Sequence, residues 1–155
     1  MTVPDPATLR ETLPGQWRVL ATTFPMWLSG KRQQPTFSYE VIPAPSLTLR
    51  DVVSYRTRSG ATRRIAGVDR LDDETGVFTW RGRGLLKALS SRWRVTHLSD
   101  DRDLIVLTFE KSLVTPAGTD VIGRGPGERP DARDRVPPHP NLTWLGWLAS
   151  SRMER

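Results

Sequence analysis

Four side chains able to take up or release a proton, Tyr39, Asp51, Tyr55 and His97, fall at alternating positions of strand-like runs. Residues two apart along a strand share a face. Tyr39 therefore joins Phe37 and Val41, Asp51 and Tyr55 join Leu49 and Val53, and His97 joins Trp93 and Val95. A lone acid or tyrosine in an apolar wall can move a proton to or from a hydrophobic substrate held there. The same few polar groups also orient a molecule that is merely bound. No spacing among them marks a proton relay, so catalytic residues stay unassigned: binding is the first reading and catalysis on a bound substrate the alternative. Asp51 in such a wall requires a hydrogen bond or a partner, from Arg63 or a tyrosine.

Other chemistries find little support. The chain has no cysteine, which removes disulfides, thiolate zinc sites and a Cys nucleophile, and its two histidines, His97 and His139, lie 42 positions apart. No His-x-x-x-His, Glu-x-x-His or Gly-x-Ser-x-Gly occurs. Gly82-Arg83-Gly84 precedes no helix with a ribose-binding acid, so it is no dinucleotide fingerprint. We expect neither a metal nor a cofactor. The net charge of +6 raises the question of nucleic acid, but the arginines are scattered among Asp51, Asp69, Asp72, Asp73, Asp100, Asp101 and Glu110, and no basic stripe forms. No nucleic-acid partner is expected. Residues 1–13 lack the apolar core of a signal peptide, and no run approaches about 20 apolar residues. These features suggest a cytoplasmic protein without stable membrane insertion, a monomer or homodimer.

Strand-length runs recur between turn signals at 16–24, 36–42, 47–57, 61–69, 77–81, 90–98, 103–111 and 119–124. This spacing predicts an all-β fold. Eight antiparallel strands with short connections close into an up-and-down barrel, removing exposed edges and leaving space for one small ligand; a filled β-sandwich is the competing arrangement. Period two then nominates a lining: Trp17, Val19 and Ala21; Phe37, Tyr39 and Val41; Leu49, Asp51, Val53 and Tyr55; Ile65 and Gly67; Phe78 and Trp80; Trp93, Val95 and His97; Ile105, Leu107 and Phe109. A local bulge would reverse any such assignment. Between the first two runs stands Phe24-Pro25-Met26-Trp27-Leu28, apolar for a loop and suited to folding over the mouth of a cavity. The candidate ligand-binding residues are Trp27, Phe37, Tyr39, Asp51, Val53, Tyr55, Phe78, Trp80, Trp93, His97, Leu107 and Phe109.

Gly15-Gln16-Trp17 opens the first run and Ile122-Gly123-Arg124 closes the last. This pairing resembles the lipocalins of the calycin superfamily, which carry a Gly-x-Trp on the first strand and an arginine packed across that tryptophan at the end of the last. The resemblance covers 15–124, and the Thr-Asp-Tyr-like motif expected before the seventh strand is matched only loosely by Ser99-Asp100-Asp101. It implies a barrel that binds a small hydrophobic molecule, lipid, terpenoid or polyketide-like; some lipocalin-like barrels act on such molecules, so the resemblance also implies the alternative of an isomerase or cyclase. Without the cysteine that anchors bacterial outer-membrane lipocalins, and with three lysines against twenty arginines, the chain looks like a bacterial, cytoplasmic member. Nitrobindin-like heme barrels share the early Gly-x-Trp and take a histidine near the chain end as iron ligand, but His139 lies among prolines outside any strand. The organisation expected is a barrel at 1–124, a flexible Pro/Gly-rich linker at 125–140 and a helical tail at 141–155 capped by Asn141, carrying Trp144 and Trp147 and docked on the barrel or free for a partner.

Overall fold

Alternation of apolar and polar residues lets each strand cover a core with one face while the other meets water. The computed structural model describes residues 4–113, 116–125 and 129–146. Strands β1 (Gly15–Thr22), β2 (Gln33–Ile42), β3 (Thr48–Arg56), β4 (Thr62–Asp72), β5 (Val77–Gly82), β6 (Ser90–Leu98), β7 (Leu104–Phe109) and β8 (Gly118–Gly123) each pair antiparallel with their chain neighbours. β1 pairs with both β8 and β2, so the sheet closes into an eight-stranded up-and-down barrel. Closure excludes the sandwich.

β1 achieves closure by dividing its length. Gly15 to Arg18 lie opposite Tyr39 to Thr36 of β2, and Arg18 to Thr22 lie opposite Gly123 to Asp120 of β8. A bulge between Val19 and Ala21 switches faces. Trp17 and Val19 point into the barrel, whereas Ala21 packs outside with Leu104, Val106 and Val121. The inward assignment of Ala21 is corrected accordingly.

Helix α1 (Pro6–Thr12) starts at Asp5, whose Oδ1 accepts from Thr8 N at 2.8 Å, and buries Leu9 beneath the barrel. It leads into the floor. There the Arg124 guanidinium lies 4.0 Å from the centre of the Trp17 ring, and its Nη2 donates to the Thr12 and Pro14 carbonyls. Trp17 Nε1 donates to Leu13 O at 2.9 Å, so the indole is held on its face and at its edge. Gly15 takes φ +116°, and a Cβ there would stand 2.6 Å from Arg124 Nη1. Both the backbone conformation and the space therefore require glycine at that position.

The segment after the barrel departs from expectation. Ala132 and Val136 are buried in the outer cluster, and Arg135 pairs with Asp101 and Asp131. The described part of 125–140 is thus docked rather than a free linker, because two small apolar residues suffice to fill the shallow outer face left by Ala21 and Val121. Thr143–Trp144 form a short strand, β9, against Thr22 and Ala21, where β2 has left the edge of β1. The expected helix is replaced there by edge pairing, with Leu145 N donating to Leu20 O at 2.8 Å. Asn141 sits in a turn and Trp144 beneath Arg133; Trp147 and the rest of the expected helix lie outside the described residues.

Removing the guanidinium loses the stack and both carbonyl bonds. Arg124→Ala is expected to destabilise the barrel by roughly 1–3 kcal/mol, measured by denaturant unfolding against exposed Arg64→Ala as control. Equal stability of the two variants would show that the floor does not depend on Arg124.

Candidate functional site

Inside the barrel the strands bring buried acids and aromatic rings into adjacent cross-strand rows. Tyr39 faces Asp51, which faces Gly67; in the next row Leu49 faces Asp69, Asp69 faces Trp80, and Trp80 faces Ser91. A Cβ on Gly67 would lie 2.1 Å from Trp80 Nε1, so the bare backbone of Gly67 is what lets the indole fold across β4. Trp93 lies at the centre of the rings. It stacks on Phe78 at 4.3 Å and on Tyr39 at 5.9 Å, and lies 6.2 Å from Phe109, which in turn meets Phe24 edge-on at 5.3 Å.

Three aspartates are buried in this apolar interior: Asp51, Asp69 and Asp120. Trp93 Nε1 donates to Asp69 Oδ1 at 3.0 Å. Asp51 and Asp69 are buried beside each other, and two neighbouring carboxyl groups out of water do not both ionise readily. Burial pushes Asp51 up to about 6, against a lowering by the neighbouring Asp69. Asp69 is raised well above its ordinary value, by burial first and then by the charge of Asp51, so the pair as a unit retains a proton above the ordinary carboxylate range. Burial also pushes Asp120 up to about 7, opposed by Thr22 and Trp27 beside it. Tyr39 is raised well above its ordinary value by burial and by the charges of all three aspartates. Asp51 Oδ1, Asp69 Oδ2, Asp120 Oδ1, Trp27 Nε1 and Ser91 Oγ are buried and complete no hydrogen bond of ordinary geometry among the described residues.

The mouth is covered by the short helix α2 (Pro25–Leu28). Trp27 is buried and meets Tyr55 edge-on at 6.1 Å, while Met26 and Leu28 pack against the same core. Arg32 lies over the outer side of Tyr55 at 5.5 Å. Two clefts, of about 340 and 300 Å³, lie outside this interior: one along Val68, Arg70, Thr79 and Arg81, the other between the start of β6 and Glu110 to Leu113.

Of the nominated residues, Trp27, Phe37, Tyr39, Phe78, Trp93 and Leu107 are buried in the inner cluster, Val53, Tyr55, Trp80 and Phe109 pack against it, and Asp51 faces the same space. His97 is a correction. A bulge between Val95 and His97 places it opposite Val106, a member of the outer cluster, so it leaves the interior. Arg63 lies opposite Tyr55 near the rim and is exposed, so Asp51 is matched by Asp69 instead.

No protein-family model matches the chain, and no curated protein matches it in sequence. Solved structures do match in shape. Lobster apocrustacyanin A1 superposes with a TM-score of 0.62 at 8% identity, covering 87% of this chain and 77% of that one. A bovine lipocalin allergen superposes at 0.59 with 15% identity, covering 90% and 95%. A biogenic amine-binding protein superposes at 0.62 with 11% identity, covering 88% and 76%. The fold is the lipocalin fold.

Two acids of this lipocalin barrel, Asp69 and Asp120, were not among the nominated residues. Asp69 stands two positions after Gly67 and shares its inward face, and Asp120 alternates with Ile122; period two was sufficient to find both. Among the described residues, no three His, Cys, Asp or Glu are grouped as metal ligands.

The acids couple stability to pH. A carboxyl whose pKa is higher folded than unfolded holds a proton in the folded state alone between the two values, so stability falls as pH rises through that window. For Asp120 the window runs from about 4 to about 7. Asp101, held below the ordinary range by Ser99, Arg135 and Asp103, acts in the opposite sense and only below that window. Asp120→Asn is therefore expected to flatten the decline by up to about 1.4 kcal/mol per pH unit and to exceed the wild type in stability at pH 8. Thermal unfolding between pH 4.5 and 8 checks both, and a wild-type curve that rises across this range would contradict them.

Proposed function

We propose that this protein binds a small hydrophobic molecule within its barrel, beneath Trp27. The observation that carries the reading is the inner wall itself: aromatic and aliphatic side chains on all eight barrel strands converge on a few buried polar groups, the composition of an orienting pocket. The lipocalin fold supports the reading, since it presents one interior and one mouth. Rings occupy the middle of the barrel in the structure described, so a ligand is admitted as the side chains at the mouth give way, Trp27 and Phe24 first. The ligand class, lipid, terpenoid or polyketide-like, and the site residues named above belong to this proposal, as does a cytoplasmic setting in a bacterial cell. Among the described residues no helix is long and apolar enough to cross a membrane.

Trp80 and Trp93 report directly on occupancy. An environment-sensitive naphthalene probe and a panel of fatty acids, retinoids and polycyclic hydrocarbons should quench tryptophan emission saturably at micromolar concentration. Trp27→Ala should raise both association and release rates in stopped-flow traces, because it removes the ring at the mouth. Failure of the whole panel to bind would end the proposal.

A further inference from the structure

Resting on the binding reading above, we propose that the preferred ligand is an amphiphilic cation, an aromatic or aliphatic amine whose ammonium group sits between Asp120 and the Asp51–Asp69 pair with its apolar body against Tyr39 and Trp93. Three carboxyl groups lie inside a barrel whose chain carries a net charge of +6, yet among the described residues no lysine or arginine forms an ion pair with any of them. Burial of charge without a counter-ion is strongly unfavourable. In the protein alone, protons supply the compensation, since burial raises the pKa of all three acids. A bound ammonium supplies it equally well, and it brings donors for oxygens that have none.

A second observation points the same way independently of the acids' number. Asp120 Oδ1 and Ser91 Oγ are buried, at 1% and 7% exposure for their residues, and like Asp51 Oδ1 and Asp69 Oδ2 lack a partner among the described residues, although they face the aromatic centre. An ammonium or a neighbouring hydroxyl donates to such atoms; a plain hydrocarbon leaves them unsatisfied. The rings add to the preference, since the faces of Trp93 and Tyr39 attract cations. Groups able to oppose it are remote. The titratable residues facing this space are Tyr39 from β2, Asp51 from β3, Asp69 from β4 and Asp120 from β8, while Arg63 and Arg32 lie at the rim by Tyr55 and Arg124 lies at the floor. The exposed rim charges are screened by solvent.

The balance of the step is simple. Where an acid is protonated, the ammonium keeps its own protons and the carboxyl group releases one to water, so binding expels protons in the range where Asp51 and Asp120 titrate. Calorimetry with 2-phenylethylamine and its neutral counterpart 2-phenylethanol tests this. At pH 8 the amine should bind at least 10-fold more tightly than the alcohol. At pH 6 its binding should release protons, seen as a dependence of the heat on buffer ionisation enthalpy, with none released by the alcohol. Asp120→Asn and Asp51→Asn, both near-isosteric, should each reduce the amine's advantage several-fold and leave the alcohol unaffected. If the alcohol matches the amine, or the variants keep the preference, the cation proposal is overturned and hydrophobic binding stands. If both compounds and the wider panel fail to bind, the binding reading falls with it.

Discussion

The contact between Arg124 and Trp17 holds the two ends of the sheet in register, and the rest of the barrel depends on that registration. β1 must leave β2 after Arg18 and continue along β8, and the floor is where the two pairings exchange. A planar cation over the indole, bonded to carbonyls that end α1, locks that junction from below. Gly15 is part of the same device, since any side chain there would displace the guanidinium. With the floor set, the alternation along each strand has a defined inside.

That inside is chemically divided. Its apolar rings gain from exclusion of water, whereas its carboxyl groups lose by it. Burial raises the pKa of each acid toward the protonated form, and one indole N–H, that of Trp93, donates to Asp69. Replacement of the acids by apolar residues of similar size would serve a merely filled core better. Their presence is therefore an argument from cost: a barrel that carries three buried acids at a loss in stability gains something by them other than stability.

The strands were legible because a barrel strand buries one face and exposes the other, and the eight expected runs coincide with β1 to β8 apart from their ends. The bulges were not. Ala21 and His97 were both assigned inward by counting in twos, and each lies just after a single extra residue that inverts the count. Nothing in residue type signals such an insertion. Asp69 was overlooked for a different reason: amid arginines scattered along the chain it read as one more surface charge, although its own strand's alternation placed it on the face of Gly67. The docking of Ala132 and Val136 was not visible in composition, because the two contribute too little apolar character to stand out among prolines and charges.

Shape and chemistry separate cleanly in this molecule. Proteins with 8% to 15% of its residues in common share its backbone course, so closure and alternation can be met by many side-chain sets. What those sets leave free is the interior, where the demand is only that rings and aliphatics fill most of the volume. The residues that depart from that demand carry the information about function. Here they are Asp51, Asp69 and Asp120, which the fold does not require and which its apolar interior disfavours, and the proposed preference for a cation rests on the relief of their burial.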